Sequence, residues 1–183
     1  MTKIFDASAD CVFSDRKILF DTNVWIAIDG FDPRPERAVY SNFYSSAKKM
    51  GNIIVINDYI LGELFNAACR IQYDFIYDDD PKRTQFKKRR KSLEFKEYMD
   101  TIRDTCLNLI DDCEFESALH PDCKISKFIE EASCGEADFP DIVIREHCKI
   151  NNYVMVSHDA DFTNCNIELV TANPRILKSI KSS

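Results

Sequence analysis

Four short runs of β-branched and apolar residues stand out between polar flanks: 17–20 (Lys-Ile-Leu-Phe), 52–56 (Asn-Ile-Ile-Val-Ile), 153–156 and 167–170. Runs this short, bounded by polar residues, predict strands rather than helices. Between them, apolar positions recur at helical spacing. Ile60, Leu64, Ala68, Ile71 and Phe75 make one stripe, with Asn57 or Asp58 available as its cap. Phe95, Tyr98, Met99, Ile102, Cys106, Leu109 and Ile110 make a second, ending near Asp112. Pro33 and Pro35 lead into a helix from about Glu36 to Met50, and Pro121 precedes a short one carrying Ile125, Phe128 and Ile129. Asp138 and Pro140 open a further helix, whose apolar positions are Ile142, Val143, Ile144 and Cys148. Strands alternating with helices predict an α/β fold: a central, mainly parallel sheet covered on both faces, hence a three-layer α/β/α sandwich.

The chain of 183 residues is expected to form one domain, with 1–16 as an N-terminal extension and about 72–135 as an enlarged helical layer. Only four Gly and six Pro leave little room for linkers. No secretory signal is visible in the first residues and no run is long enough to span a bilayer, so the cytoplasm is the expected location. Eight cysteines lie dispersed without a C-x-x-C pair, which predicts reduced thiols rather than disulfides or a zinc knuckle. A net charge of −7 argues against a uniformly basic nucleic-acid binder. One segment runs the other way: Lys82, Arg83, Lys87, Lys88, Arg89, Arg90 and Lys91 follow Asp78-Asp79-Asp80. It is either a solvated helix start or a grip on a phosphate backbone, and Lys87, Lys88, Arg89 and Arg90 are the candidate contacts.

The candidate chemistry is acidic. Asp21 follows the first strand, Glu63 lies on the flank of the first helical stripe, and Asp141 begins the helix opened by Pro140. Asp159 and Asp161 follow the strand at 153–156. In a parallel sheet, the strand–helix junctions at the carboxyl ends converge on one crevice. Several carboxylates gathered there repel one another unless a divalent cation holds them, so the pattern predicts a Mg²⁺ or Mn²⁺ site. Thr22 and Asn23 are placed to orient Asp21, Asn23 also to cap the next helix, and Ser157 to hold a neighbouring carboxylate. His158 is expected to be exposed, and Trp25 to pack in the core. Taken singly, each acid fits an ordinary turn; the set is what carries meaning.

Together these residues resemble the PIN-domain ribonuclease family, whose best-known bacterial members are VapC-type toxins. The likeness spans roughly 18–170. Asp21-Thr22-Asn23 matches the opening D-T-N motif, Glu63 the acid on the helix after the second strand, and Asp141 the aspartate at the start of the penultimate helix. Ser157 to Phe162 matches the closing T-x-D-x-D-F motif, with Ser in place of Thr. Asp138 and Glu136 stand in reserve for the third ligand. The resemblance implies a metal-dependent endoribonuclease in which Asp21, Glu63, Asp141 and Asp159 are catalytic. With Asp161 they would hold Mg²⁺ or Mn²⁺. It also implies single-stranded or looped RNA as substrate and, for toxin members, an antitoxin protein and a homodimer. A catalytically silent PIN-like module binding nucleic acid or protein is the alternative. Haloacid-dehalogenase-like phosphatases also place an aspartate after their first strand, but need a second one two positions later, where this chain has Asn23.

Overall fold

The computed structural model describes residues 1–31, 38–78, 85–121, 123–135 and 137–181, the last two as backbone only. Pro33, Pro35, Glu36, Asp79, Asp80, Lys82, Arg83 and Glu136 lie outside the described residues.

Six strands form one sheet, in the order β1-β6-β5-β2-β3-β4, and every pairing is parallel. The strands are β1 (Lys3–Asp6), β2 (Lys17–Phe20), β3 (Ile53–Asn57), β4 (Glu114–Glu116), β5 (Val154–Val156) and β6 (Glu168–Thr171). The helices are α1 (Thr22–Ile28), α2 (Val39–Lys49), α3 (Asp58–Ile76), α4 (Phe86–Arg89), α5 (Leu93–Asp112), α6 (Ile125–Ser133), α7 (Phe139–Asn151) and α8 (Pro174–Lys181). From β2 the chain steps to β3 and then β4 in one direction; from β4 it returns past β2 to β5 and β6 in the other. Parallel crossovers are right-handed, so the reversal puts α1 to α5 on one face and α6 and α7 on the other. The direct packing of α1 on α2 and α3, α3 on α5, and α6 on α7 agrees with that division. The fold is therefore an α/β three-layer sandwich.

The four expected strands are present, within a residue or two of their predicted bounds. Their apolar faces make the core: Ile18, Leu19, Phe20, Val55, Ile56, Val154, Met155, Val156, Leu169 and Val170 are fully buried. Trp25 packs there too, 5.3 Å from Phe20 and 5.7 Å from Tyr44 by ring centroids. Asn57 caps α3, its Oδ1 accepting from the Ile60 amide at 2.9 Å. None of the eight cysteines is paired. Among the described residues, no helix is long and apolar enough to cross a membrane.

Several expectations need correction. The helical stripe of α3 turns over its length: Ile60, Leu64 and Ala68 are buried, but Cys69 and Tyr73 then take the inner face and Phe75 is exposed. In α5, Ile110 is exposed; in α6, Ile125 and Ile129 are exposed and no residue is buried. The segment expected as an extension contributes an edge strand, β1, whose register pairs Lys3 to Asp6 with Glu168 to Thr171. Buried Asn52 pins the loop that follows: it donates to the carbonyls of Phe13 (2.8 Å) and Ala47 (3.0 Å) and accepts from the Arg16 amide (3.0 Å). The region about 72–135 is more than a helical layer, because β4 extends the sheet beside β3. Lys17 bridges Glu114 and Glu116 of β4, and Tyr153 and His147 also bond Glu116. Burial alone would raise the Glu116 carboxyl, but these partners outweigh it and hold it below its ordinary value.

Candidate active site

The reversal of chain direction makes a switch point between β2 and β5, where crevices form beyond the carboxyl ends of the strands. Asp21 is the first residue past β2 and Ser157 the first past β5. Their strands remain paired to the end, the Asp21 amide donating to the Val156 carbonyl at 2.9 Å. Asp21 is thus delivered to the crevice by two core strands and is 5% exposed. It is also the N-cap of α1, its Oδ1 accepting from the Thr22 amide at 2.8 Å.

Asn23 is therefore not the cap. Its amide instead donates to Asp21 Oδ2 and to Ser157 Oγ (3.2 Å), and its Oδ1 accepts from the His158 amide at 3.0 Å. Ser157, fully buried, donates to Asp21 Oδ2 at 2.6 Å and accepts from the Asp159 amide at 3.0 Å. One hydroxyl thus ties the loop after β5 to the carboxylate after β2. Thr22 serves Asp21 through its amide as expected and a second acid through its side chain, its Oγ1 donating to Glu63 Oε2 at 2.9 Å. Glu63 lies about one and a half turns into α3 and is exposed, as a flank position requires. Asp159 and Asp161 form an Asx turn at the solvent edge, the Asp161 amide donating to Asp159 Oδ1 at 3.1 Å.

Asp141 arrives from the opposite face of the sheet, in the first turn of α7. Asp138 occupies the N-cap position there, but its side chain makes no capping bond. Burial pushes the Asp141 carboxyl up to about 7, and the charges of Asp21, Asp159, Glu63 and Asp138 add to the rise. Asp21 is pushed up to about 6, chiefly by burial and then by Glu63 and Asp159, although the Ser157 and Thr22 bonds work against the shift. Asp159, with some desolvation and Asp138, likewise raises Asp161. Glu63 and Asp159 thus bear electrostatically on both Asp21 and Asp141, though they line different clefts, Glu63 beside Pro140 and Asp159 beside Asn23. Among the described residues, no three acidic, His or Cys side chains are already closed into a metal-binding group. The donors themselves are hard carboxylate oxygens, the type that Mg²⁺ and Mn²⁺ select.

Two further features of the site were not legible in the sequence. His158 is half-buried rather than exposed, sharing a 2.9 Å hydrogen bond with the hydroxyl of buried Tyr40. Arg175, at the start of α8, lines a cleft of about 300 Å³ with Asn23, His158, Asp159, Ala160 and Asn173. Asn173 locks that rim by donating to the His158 carbonyl at 2.8 Å. The basic segment does not join the crevice. Lys87 and Lys88 are exposed on α4, which lies alongside the second half of α3, Phe86 being 5.0 Å from Tyr73 by ring centroids and 4.8 Å from the Arg70 guanidinium. Arg89 stacks on Tyr77 at 3.7 Å and Arg90 lies 5.4 Å from the Phe86 ring centroid.

No protein-family profile matches the chain, and no curated protein does. Among solved structures it is similar to a chain of VapBC2 from Rickettsia felis, in a complex bound to a DNA fragment from their promoter. The two share 16% identity over 84% of this chain and 96% of that one, with a TM-score of 0.48. A likeness at that level carries no argument about chemistry.

Proposed function

We propose that this protein is a metal-dependent endoribonuclease of PIN type, hydrolysing phosphodiester bonds in single-stranded or looped RNA. What supports the reading is that the carboxyls of Asp21 and Asp141 are pushed up to about 6 and 7, first by burial and then by acidic neighbours that include Glu63 and Asp159. A fold does not hold two carboxyls at such cost without a use for them, and a divalent cation is the partner that removes the cost. Asp21, Glu63, Asp141 and Asp159 would hold Mg²⁺ or Mn²⁺, with Asp161 at the edge of the set. Such an ion supplies Lewis-acid stabilisation of the phosphoryl oxygens and an activated water. Ser157 and Asn23 fix the Asp21 carboxylate, Thr22 fixes Glu63, and Arg175 is placed to meet a phosphate entering beside Asp159. As in toxin members of the family it resembles, a neutralising partner protein and a homodimer would accompany this activity.

The competing reading, a silent binding module, draws on the open arrangement of the acids. Cleavage separates the two. A 5′-labelled structured RNA incubated with Mg²⁺, Mn²⁺ or EDTA should be cut only with metal. Asp21→Asn should lower the rate by at least about 100-fold, since it removes a buried ligand from the set. Cutting by that variant at the wild-type rate would end the nuclease proposal.

A further inference from the structure

The geometry points to a stacking subsite for an unpaired nucleobase, in the apolar slot between the starts of α3 and α7. This inference rests on the nuclease reading and names how the substrate would be held. The slot has a volume of about 420 Å³ and is lined by Asp58, Tyr59, Gly62, Glu63 and Pro140. Two of its walls belong to the candidate machinery: Glu63 itself, and Pro140, the residue before Asp141. A base entering it would therefore be attached to the strand whose phosphate lies at the carboxylates.

Three observations say what fits. Tyr59 offers an aromatic ring, backed by Phe139 with centroids 6.4 Å apart and planes 45° to one another. Gly62 stands within a 19-residue helix, where glycine is the poorest choice after proline. A Cβ built on it meets no atom within 4 Å, so packing gives no reason for the glycine. What its missing side chain does is keep the slot open. Finally, the rim is acidic. Asp58 accepts from the Tyr59 and Ala118 amides and the Ser117 hydroxyl, and Glu63 stands beside it. The Asp58 carboxylate at the mouth, outside the proposed metal set, repels a phosphate but tolerates a neutral ring, whose exocyclic amino groups it can bond. A flat neutral heterocycle stacked on Tyr59 is the occupant that meets all three conditions.

The test uses a short single-stranded RNA with 2-aminopurine placed at each position in turn, in Ca²⁺ to favour binding over reaction. Wild-type protein should quench the fluorophore strongly at one position. Replacing that base by an abasic nucleotide should weaken binding about 5- to 100-fold. Gly62→Leu, which fills the slot, and Tyr59→Leu, which removes the ring, should each abolish the quenching and bind normal and abasic RNA alike. Two variants guard against a disturbance of Glu63 or of folding in either one. If both variants quench and bind as wild type does, the slot does not hold a base, and metal-dependent cleavage by the same proteins would leave the nuclease reading intact. A change in oligomeric mass without any change in RNA binding would assign the slot to protein contact and overturn the inference. Absence of both RNA binding and cleavage in the wild type would overturn the subsite and the nuclease together.

Discussion

Asp141 shows the strain in this site most directly. It has a raised carboxyl at about 7, in a half-open position facing Asp21, Asp159 and Glu63. A carboxyl whose pKa is higher folded than unfolded binds its proton more tightly in the folded state. Its effect is therefore small below about pH 4 and becomes destabilising as pH rises from about 4 to about 7. In metal-free buffer, stability should fall across that window. Asp141→Asn should flatten the decline and raise stability at pH 7.5 by about 1–2 kcal/mol. That is below the roughly 4 kcal/mol of the full shift, because solvent reaches the group. Urea melts at pH 4.5 and 7.5 in EDTA would check this. An Asn variant that gains nothing at the higher pH would mean that solvent reaches Asp141 well enough to cancel both its burial and the neighbouring charges. At this scale the sequence offered the acids as candidates, and the structure shows what holds two of them. The bond of Asn23 to Asp21 was legible, but the pairings of Ser157 with Asp21 and of Thr22 with Glu63 were not, because they join residues 136 and 41 positions apart.

Among the elements, strands with an apolar run were legible and those without were not. β2, β3, β5 and β6 carry buried runs, whereas β4 is Glu-Phe-Glu with its phenylalanine half exposed, and β1 is a four-residue edge. Edge strands bury little, so they leave little periodic signal. α8, only eight residues long, was missed as well, and Arg175 with it. Helix α4 carries the basic segment proposed to grip RNA, and the structure narrows which residues are free for that. Arg89 and Arg90 lie against aromatic rings, leaving Lys87 and Lys88 as the more exposed pair. Reversing both, Lys87→Glu with Lys88→Glu, should weaken RNA binding and reduce the slope of log affinity against log salt by about 1 to 2. Filter binding at several salt concentrations measures both; an unchanged slope would return α4 to the role of a solvated helix.

The whole molecule is organised by its strand order. Because β2 and β5 are neighbours and the chain departs from them in opposite directions, α3 and α7 both begin at the same crevice. Asp21 and Asp141 are brought within electrostatic reach of each other for that topological reason. A ligand that binds the folded state alone stabilises it by mass action. Mn²⁺ at 100 times its dissociation constant should therefore add about 2.7 kcal/mol, read as a melting shift of several degrees. The shift should shrink markedly in Asp141→Asn, and a wild type indifferent to Mn²⁺ and Mg²⁺ would remove the metal site from the proposal.

The sequence by itself determined the α/β class and the core strands and narrowed the cap of α3 to Asn57 or Asp58, because hydrophobic period and turn chemistry are local properties. Tertiary structure decided which strands are neighbours, that the β4 edge is held through Glu116, and that Arg175 stands beside Asp159. It also decided that Tyr59 and Gly62 face Pro140 across a slot. Those facts depend on contacts between residues far apart in the chain, and no local pattern encodes such a distance.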